Sequence, residues 1–351
     1  MELSVLMAVK DGEAHLAAAM DSLLGQSFTA FELIVVDDGS RDATPSLLAD
    51  YQRRDRRVMV LHNDQPQGLP TALNRGLARC RAPLVARADG DDVYHPERLG
   101  RQLDHLRRHP EIGVLSCGYH RIDSGGRRID TRVPVTGDAP LRFQMLFMNG
   151  LLHPGVMFRA DPVRRVGGYD PRYWTAQDSD LWARLLPLTR LDNLPEPLVS
   201  YRIHPHSTMR RRGDAGLALS LSVPARLQAH YLGFTPDPRQ VRAVVDLYQD
   251  FVFLEHDAIA LGYRGLRRVL DLARRREPAP VWRAFRRRVG AALQRQARLR
   301  AGRDPGRALR VLGKAIQWRL PGSPWSPPPL AVPVAPDSAQ RPDIDPSNTN
   351  S

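Results

Sequence analysis

The chain has 351 residues, 25% charged and 42% hydrophobic, with 51 basic against 38 acidic side chains and a formal net charge of +13. That length is ample for a buried core and the composition excludes wholesale disorder; two cysteines, Cys80 and Cys117, exclude a disulfide scaffold and a cysteine-built zinc module. No stretch reaches the roughly 18–20 apolar residues of a spanning helix, and MELSVLMAVKDGEAH has no basic region ahead of its apolar run, so a cytoplasmic protein without a signal peptide is expected.

Residues 4–9 (SVLMAV) form a short apolar run suited to a buried strand. Asp11-Gly12-Glu13 then opens a helical pattern with Leu16, Ala19, Met20, Leu23 and Leu24 on its apolar face. A second strand, residues 31–36 (FELIVV), ends abruptly at Asp37-Asp38-Gly39-Ser40, followed by a helix centred on residues 43–51 and a third strand at 58–62. Residues 70–79 read as helix, and a fourth strand at 84–88 ends in Asp89-Gly90-Asp91-Asp92. Pro96 suits the first position of the next helix, which stops before Pro110, and residues 112–117 are a fifth strand. Such alternation predicts a mainly parallel sheet covered by helices on both faces. Ligands bind such sheets at the carboxyl ends of the strands, and here two strands end in acids.

Beyond residue 130 the pattern loosens. A strand is expected at 153–158, a turn at Gly167-Gly168-Tyr169-Asp170, a helix at 177–186 and a closing strand at 198–203. From about 237 to 319 the sequence reads as helices broken at Gly262, residues 278–280 and Asp304-Pro305. Residues 264–319 hold eighteen basic and three acidic side chains, leaving 33 basic against 35 acidic elsewhere, so the net charge belongs to this segment alone. Trp282, Phe285, Val289 and Leu293, then Leu309, Leu312, Ile316 and Leu320, recur at helical spacing with arginines around them. Basic amphipathic helices of this kind dock on anionic membrane surfaces; the alternative is an apolar stripe packed on the protein with a solvated basic face. No recognition motif supports nucleic acid as a partner. Residues 321–351, rich in Pro and Ser, read as a disordered tail.

The acidic clusters carry the chemistry. Asp89-Gly90-Asp91-Asp92 offers the oxygen ligands that a hard cation such as Mg²⁺ or Mn²⁺ takes beside a diphosphate; a polar loop of Asx turns is the plainer reading of an isolated D-x-D. In Asp37-Asp38-Gly39-Ser40 an Asp can accept the N–H of a nucleobase, while Ser40 or Asp42 can cap the following helix. Neither a G-x-G-x-x-G nor a G-x-x-x-x-G-K stands near these strands, which argues against a dehydrogenase and a P-loop kinase. Thr175-Ala176-Gln177-Asp178 fits a capping box ahead of an apolar helix.

SVLMAVKDGEAHL, ELIVVDDGSRDAT, QGLPTALNRGLARCRAPLVARADGDDVYHPERL, GGYDPRYWTAQDSDLWARL and YRIHPHSTM, in this order, resemble the inverting glycosyltransferases of family 2, of the bacterial surface-polysaccharide type, over about residues 1–210. The resemblance implies an α/β fold of the GT-A (nucleotide-diphospho-sugar transferase) type with a C-terminal α-helical extension. The chain would then divide into a GT-A domain at 1–235, a basic helical extension at 236–320 and a Pro-rich tail at 321–351. It also implies transfer of a sugar from a nucleotide-sugar, expected to be a UDP-sugar, to a glycan or lipid-linked acceptor, on the inner face of the plasma membrane where the basic helices dock. Asp37 would contact the nucleobase, with Val9, Asp11, Asp38, Asn74 and Asp89 completing the donor site. Asp91, Asp89 and His204 would hold the divalent metal, Asp91 most directly, and Asp178 would be the general base. The family commonly has Glu-Asp where this chain has Gln177-Asp178, and often Pro-x-Tyr-Asn where it has Ala8-Val9-Lys10-Asp11. Tyr169, Tyr173, Trp174 and His153 are candidates to line the acceptor site, with core packing as their alternative. Two other functions stay open: a nucleotidyltransferase, for which AVKDGEAH supplies no triphosphate loop, and a degenerate glycosyltransferase fold serving as a binding protein at the membrane surface.

Overall fold

The computed structural model describes residues 1–203, 213–248 and 256–301. Its N-terminal half alternates β1 (Leu3–Val9), α1 (Leu16–Leu24), β2 (Phe31–Asp37), α2 (Thr44–Arg54), β3 (Val58–His62), α3 (Leu69–Leu77) and β4 (Leu84–Ala88). All seven residues of β1 and of β2 are buried. Their side chains divide by the two-residue period of a strand. Leu3, Val5, Met7, Leu33 and Val35 join one core with Leu16, Leu23 and Leu48, whereas Leu6, Ala8, Ile34 and Val36 join a second with Leu73, Leu77 and Trp182. The helices therefore cover both faces, as the mainly apolar runs predict.

Next come β5 (Val93–Tyr94), α4 (Arg98–Arg108), β6 (Ile112–Ile122), β7 (Arg128–Arg132), α5 (Asp138–Gln144), β8 (Met157–Arg159), α6 (Ala160–Arg165), α7 (Gln177–Leu185) and β9 (Arg190–Arg202). The sheet order is β3-β2-β1-β4-β8-β6-β9-β5, with β7 paired to β6. The four strands β3-β2-β1-β4 are parallel, as are β6 and β9, while β8 runs antiparallel to both β4 and β6. The strand expected at 153–158 is shorter and later, because His153–Gly155 forms a 3-10 turn ahead of β8. Helix α4 starts at Arg98; Pro96 precedes it, its carbonyl accepting the Ser27 N–H at 2.8 Å.

The C-terminal helices are α8 (Gly213–Leu232), α9 (Pro238–Tyr248), α10 (His256–Arg276) and α11 (Ala279–Ala301). Val223 of α8 packs into the second core, and Arg226 reaches Asp180 of α7 at 2.8 Å. A third core gathers Phe143, Leu146 and Phe147 with Val244, Leu266, Leu270, Val289 and Leu293. The apolar stripes of α10 and α11 are thus spent on the protein, with Trp282 packed against the same cluster. Arg264, Arg268 and Arg275 on α10, and Arg283, Arg287 and Arg298 on α11, are exposed. Among the described residues no helix is long and apolar enough to cross a membrane. The second stripe (Leu309 to Leu320) and the tail at 321–351 lie outside the described residues.

Candidate active site

The carboxyl ends of β1, β2 and β4 meet, and their loops are knitted together. Asp11, with a left-handed φ of 49°, donates its N–H to Ser40 Oγ (2.9 Å) and accepts the Arg41 N–H on Oδ1 (2.8 Å). Asp42 Oδ1 accepts the N–H of Thr44 at the start of α2 (2.9 Å), so it serves the cap and Ser40 serves the first loop. Val9, paired with Asp37 across the strands, supports both loops: a Cβ on Gly12 or Gly90 would stand 2.5 or 3.1 Å from its Cγ2.

The two acids after β2 do different work. Asp37 Oδ1 accepts the Ser40 N–H (3.1 Å) and Oδ2 stands 3.1 Å from His62 Nδ1. Asp38 accepts Asn63 Nδ2 (2.6 Å) and the Gln67 N–H (2.8 Å) on Oδ1, and the Gly68 N–H (2.9 Å) on Oδ2. The Asp38 carboxylate, expected near the donor, holds the 63–68 loop. Gly39 lies in that bend at φ +70°, where a Cβ would come within 2.9 Å of Gln65 and Pro66.

One carboxylate oxygen each from Asp89, Asp91 and Asp92 lie within 4.8 Å of one another. Arg87, fully buried in β4, places Nη1 2.5 Å from Asp89 Oδ1. Burial, then the Asp91 and Asp89 charges, push the Asp92 carboxyl well above the usual carboxylate range. Burial raises Asp89 as well; Arg87 opposes it, while Asp91 and, more weakly, Asp178 add to it. Asp92 Oδ1 accepts the Arg202 N–H (2.8 Å), and its buried Oδ2 has no hydrogen-bond partner. Arg202 also donates Nε to the Asp91 carbonyl (2.8 Å) and Nη1 to the Asp123 and Ser124 carbonyls (3.1 and 2.9 Å), stapling the acid loop to the β6–β7 turn. An all-oxygen donor set with repelling charges and a buried orphan oxygen fits a hard divalent cation. His204 lies outside the described residues.

Helix α7 starts after Ala176, held at φ 59°, with no side-chain cap bond, so the Thr175–Asp178 capping box does not form. Asp178 sits in the first turn, accepting the Ser179 N–H on Oδ1 (2.8 Å) and Asn149 Nδ2 on Oδ2 (2.7 Å). Asp180, one turn face away, is held by Arg184 and Arg226 (2.8 Å each), and Arg184 also reaches the Val166 and Gly168 carbonyls.

Three residues expected at the donor or acceptor site have partners within the protein. The Asn74 amide is spent on Tyr169, its Oδ1 accepting the Tyr169 N–H (2.8 Å) and its Nδ2 donating to the Tyr169 carbonyl (2.7 Å). Gly168 is required beside this clamp, since a Cβ there would stand 2.4 Å from Asn74 Oδ1. Tyr169 is 1% exposed, with its hydroxyl 2.9 Å from Nε2 of buried His153. Burial, aided by Arg87, drives the His153 pKa far down, so the ring is neutral. These residues form a core beneath the acid loop because the aromatic and imidazole groups satisfy each other there. Tyr173 is half-buried, its hydroxyl accepting Ser222 Oγ (3.3 Å), and Trp174 is 45% exposed. Sequence reasoning missed Arg87, Asn149 and Arg202. Arg87 left a signal, a cation inside the apolar run LVARA.

The sequence model of Glycosyl transferase family 2 matches residues 4–214, more than half of the chain. The chain belongs to glycosyl transferase family 2. This glycosyltransferase is 32% identical over 212 residues to the O-antigen biosynthesis glycosyltransferase WbnJ of Escherichia coli, covering 59% of this chain and 82% of that one. It is 29% identical over 256 residues to the E. coli UDP-Gal:alpha-D-GlcNAc-diphosphoundecaprenol beta-1,3-galactosyltransferase, covering 72% and 87%. Its fold, of the GT-A type, is shared with the mannosyltransferase PcManGT of Pyrobaculum calidifontis in complex with GDP-Man and Mn²⁺ (TM-score 0.53, 17% identity, 91% and 85% covered). Membership sets aside the nucleotidyltransferase: the enzyme is a glycosyltransferase, akin to those of polysaccharide biosynthesis.

Proposed function

We propose that the enzyme transfers a sugar, with inversion, from a UDP-sugar to a hydroxyl of a glycan or lipid-linked acceptor in cell-surface polysaccharide synthesis. The observation that carries the reading is the cluster of Asp89, Asp91 and Asp92 oxygens within 4.8 Å of one another at the carboxyl end of β4, an acid loop that suits a divalent cation beside a diphosphate. Asp37 meets the nucleobase. Asp91, with Asp89 and Asp92 around it, would hold Mg²⁺ or Mn²⁺, which would offset the negative charge that the diphosphate gains as it leaves. Asp178 takes the proton of the acceptor hydroxyl. The acceptor oxygen bonds to the anomeric carbon from the side opposite the breaking bond to the diphosphate, and a single displacement inverts that carbon. The lipid-linked acceptor and the UDP donor are supported by the name of the galactosyltransferase relative. Release of nucleoside diphosphate from a panel of UDP-, GDP- and dTDP-sugars, with Mn²⁺ or with chelator, tests this. Metal-dependent UDP release is expected; metal-independent release, or release from GDP-sugars alone, overturns the corresponding part.

The place of work belongs to the same reading. The exposed arginines of α10 and α11 dock the enzyme on an anionic bilayer by charge alone, since their apolar stripes are buried in the third core. Each basic residue near such a surface contributes about 1 kcal/mol, screened by salt. Flotation with phosphatidylglycerol vesicles is expected to recover the enzyme at about 50 mM salt and lose it at about 500 mM. Absence of low-salt binding rules the docking out.

A further inference from the structure

Asn149 lies between α5 and the 3-10 turn, in a stretch with no regular structure. Its neighbours hold it from several sides. Asn193 Nδ2 donates to the Gly150 carbonyl (3.0 Å) and the Val135 carbonyl (2.7 Å), and Ser116 Oγ both accepts the Leu152 N–H (3.1 Å) and donates to the Leu152 carbonyl (3.0 Å). The side chain of Asn149 has one admissible orientation. The Leu151 N–H can only donate, so the atom facing it at 3.0 Å is Oδ1, and Nδ2 is thereby turned to Asp178 Oδ2 at 2.7 Å. The other oxygen of Asp178 accepts the Ser179 N–H. Two N–H donors from two segments thus reach the two oxygens of one carboxylate, with Ser179 Oγ 3.4 Å from Oδ1.

We propose that Asn149 is a positioning residue for the base: it holds the Asp178 carboxylate in the orientation from which it takes the acceptor proton. The inference rests on the reading of Asp178 as that base. Positional error of about 1 Å in such a group costs on the order of 10²-fold in rate. A merely structural Asn149, tying the start of α7 to the loop through Leu151, is separated from a positioning one by chemistry. Asn149→Asp keeps an oxygen for the Leu151 N–H and removes the donor to Asp178, putting a carboxylate in its place.

The test compares Asn149→Ala and Asn149→Asp with Asp178→Asn, measuring kcat and acceptor KM, with donor affinity and melting temperature as controls. Asn149→Ala is expected to lower kcat about 10–100-fold, and Asn149→Asp at least as much, with donor affinity within about threefold of wild type. If Asn149→Asp turns over at the wild-type rate while Asp178→Asn is inactive, the inference falls and the base stands. If Asp178→Asn transfers normally, the base reading falls and takes the inference with it. Should Asn149→Ala fail to fold, the isosteric Asn149→Asp decides alone.

Discussion

Replacing Asp178 by Asn is expected to lower kcat by about 10²–10⁴-fold, the range for loss of a positioned general base, with donor affinity close to wild type. The substitution is nearly isosteric. Its amide oxygen can still accept the Ser179 N–H, but its amide nitrogen then faces Asn149 Nδ2, donor against donor. A carboxylate in the first turn of a helix also contributes about 0.3–1 kcal/mol through the helix dipole. The fold therefore loses about 1 kcal/mol, a change that leaves α7 formed and is far too small to account for orders of magnitude in rate. Initial rates with acceptor, donor titration and circular dichroism on the same sample separate the two effects. Transfer near the wild-type rate with unchanged helix content would show that Asp178 is not the base.

The parts of this enzyme legible in its sequence are those written in short-range patterns. Mainly apolar runs at β1, β2 and β4 announce strands covered on both faces, and the acids that end β2 and β4 announce where a ligand sits. What each acid does is not written locally. Asp37 and Asp38 are neighbours, yet Asp38 finds Asn63, Gln67 and Gly68, 25 to 30 residues on. Asn74 and Tyr169 are 95 positions apart and meet only because α3 and the Gly167–Gly168 bend pack on the same face. Such pairings follow from tertiary packing, which no periodicity encodes. The same holds for the basic helices: their amphipathic pattern is legible, but whether the apolar side meets lipid or protein is decided by Phe143, Leu146 and Phe147, more than a hundred residues upstream. The net charge of +13 thus bears on the docking proposed for α10 and α11 and not on the acid site.

Asp91→Asn is expected to abolish the response to metal and, at the same time, to stabilise the metal-free enzyme. In wild type with chelator, three carboxylates offer oxygens within 4.8 Å of one another, and burial, with the charge of Asp91 added to it, pushes the pKa values of Asp89 and Asp92 upward. Raised carboxyl pKa values mean that the ionised folded state is penalised above the unfolded value near 4. Arg87 offsets this for Asp89 at 2.5 Å, whereas Asp92 has one backbone N–H on Oδ1 and none on Oδ2. Removing the Asp91 charge relieves both neighbours. A gain of about 1 kcal/mol raises the melting temperature by about 2–4 °C in a domain of this order of size. In Mn²⁺ the order reverses. Wild type at a hundredfold excess over Kd gains about 2.7 kcal/mol from binding, and Asp91→Asn gains nothing. Its kcat falls by at least about 10²-fold, the equivalent of a few kcal/mol of charge stabilisation lost when the diphosphate departs. Asp91 is the acid to change because Asp92 is fully buried with Oδ1 committed to Arg202, and Asp89 is held by Arg87. Thermal melts of both proteins with chelator and with Mn²⁺ give all four numbers. An unchanged Mn²⁺ shift in Asp91→Asn removes Asp91 from the metal site, and a lower metal-free melting temperature removes the repulsion.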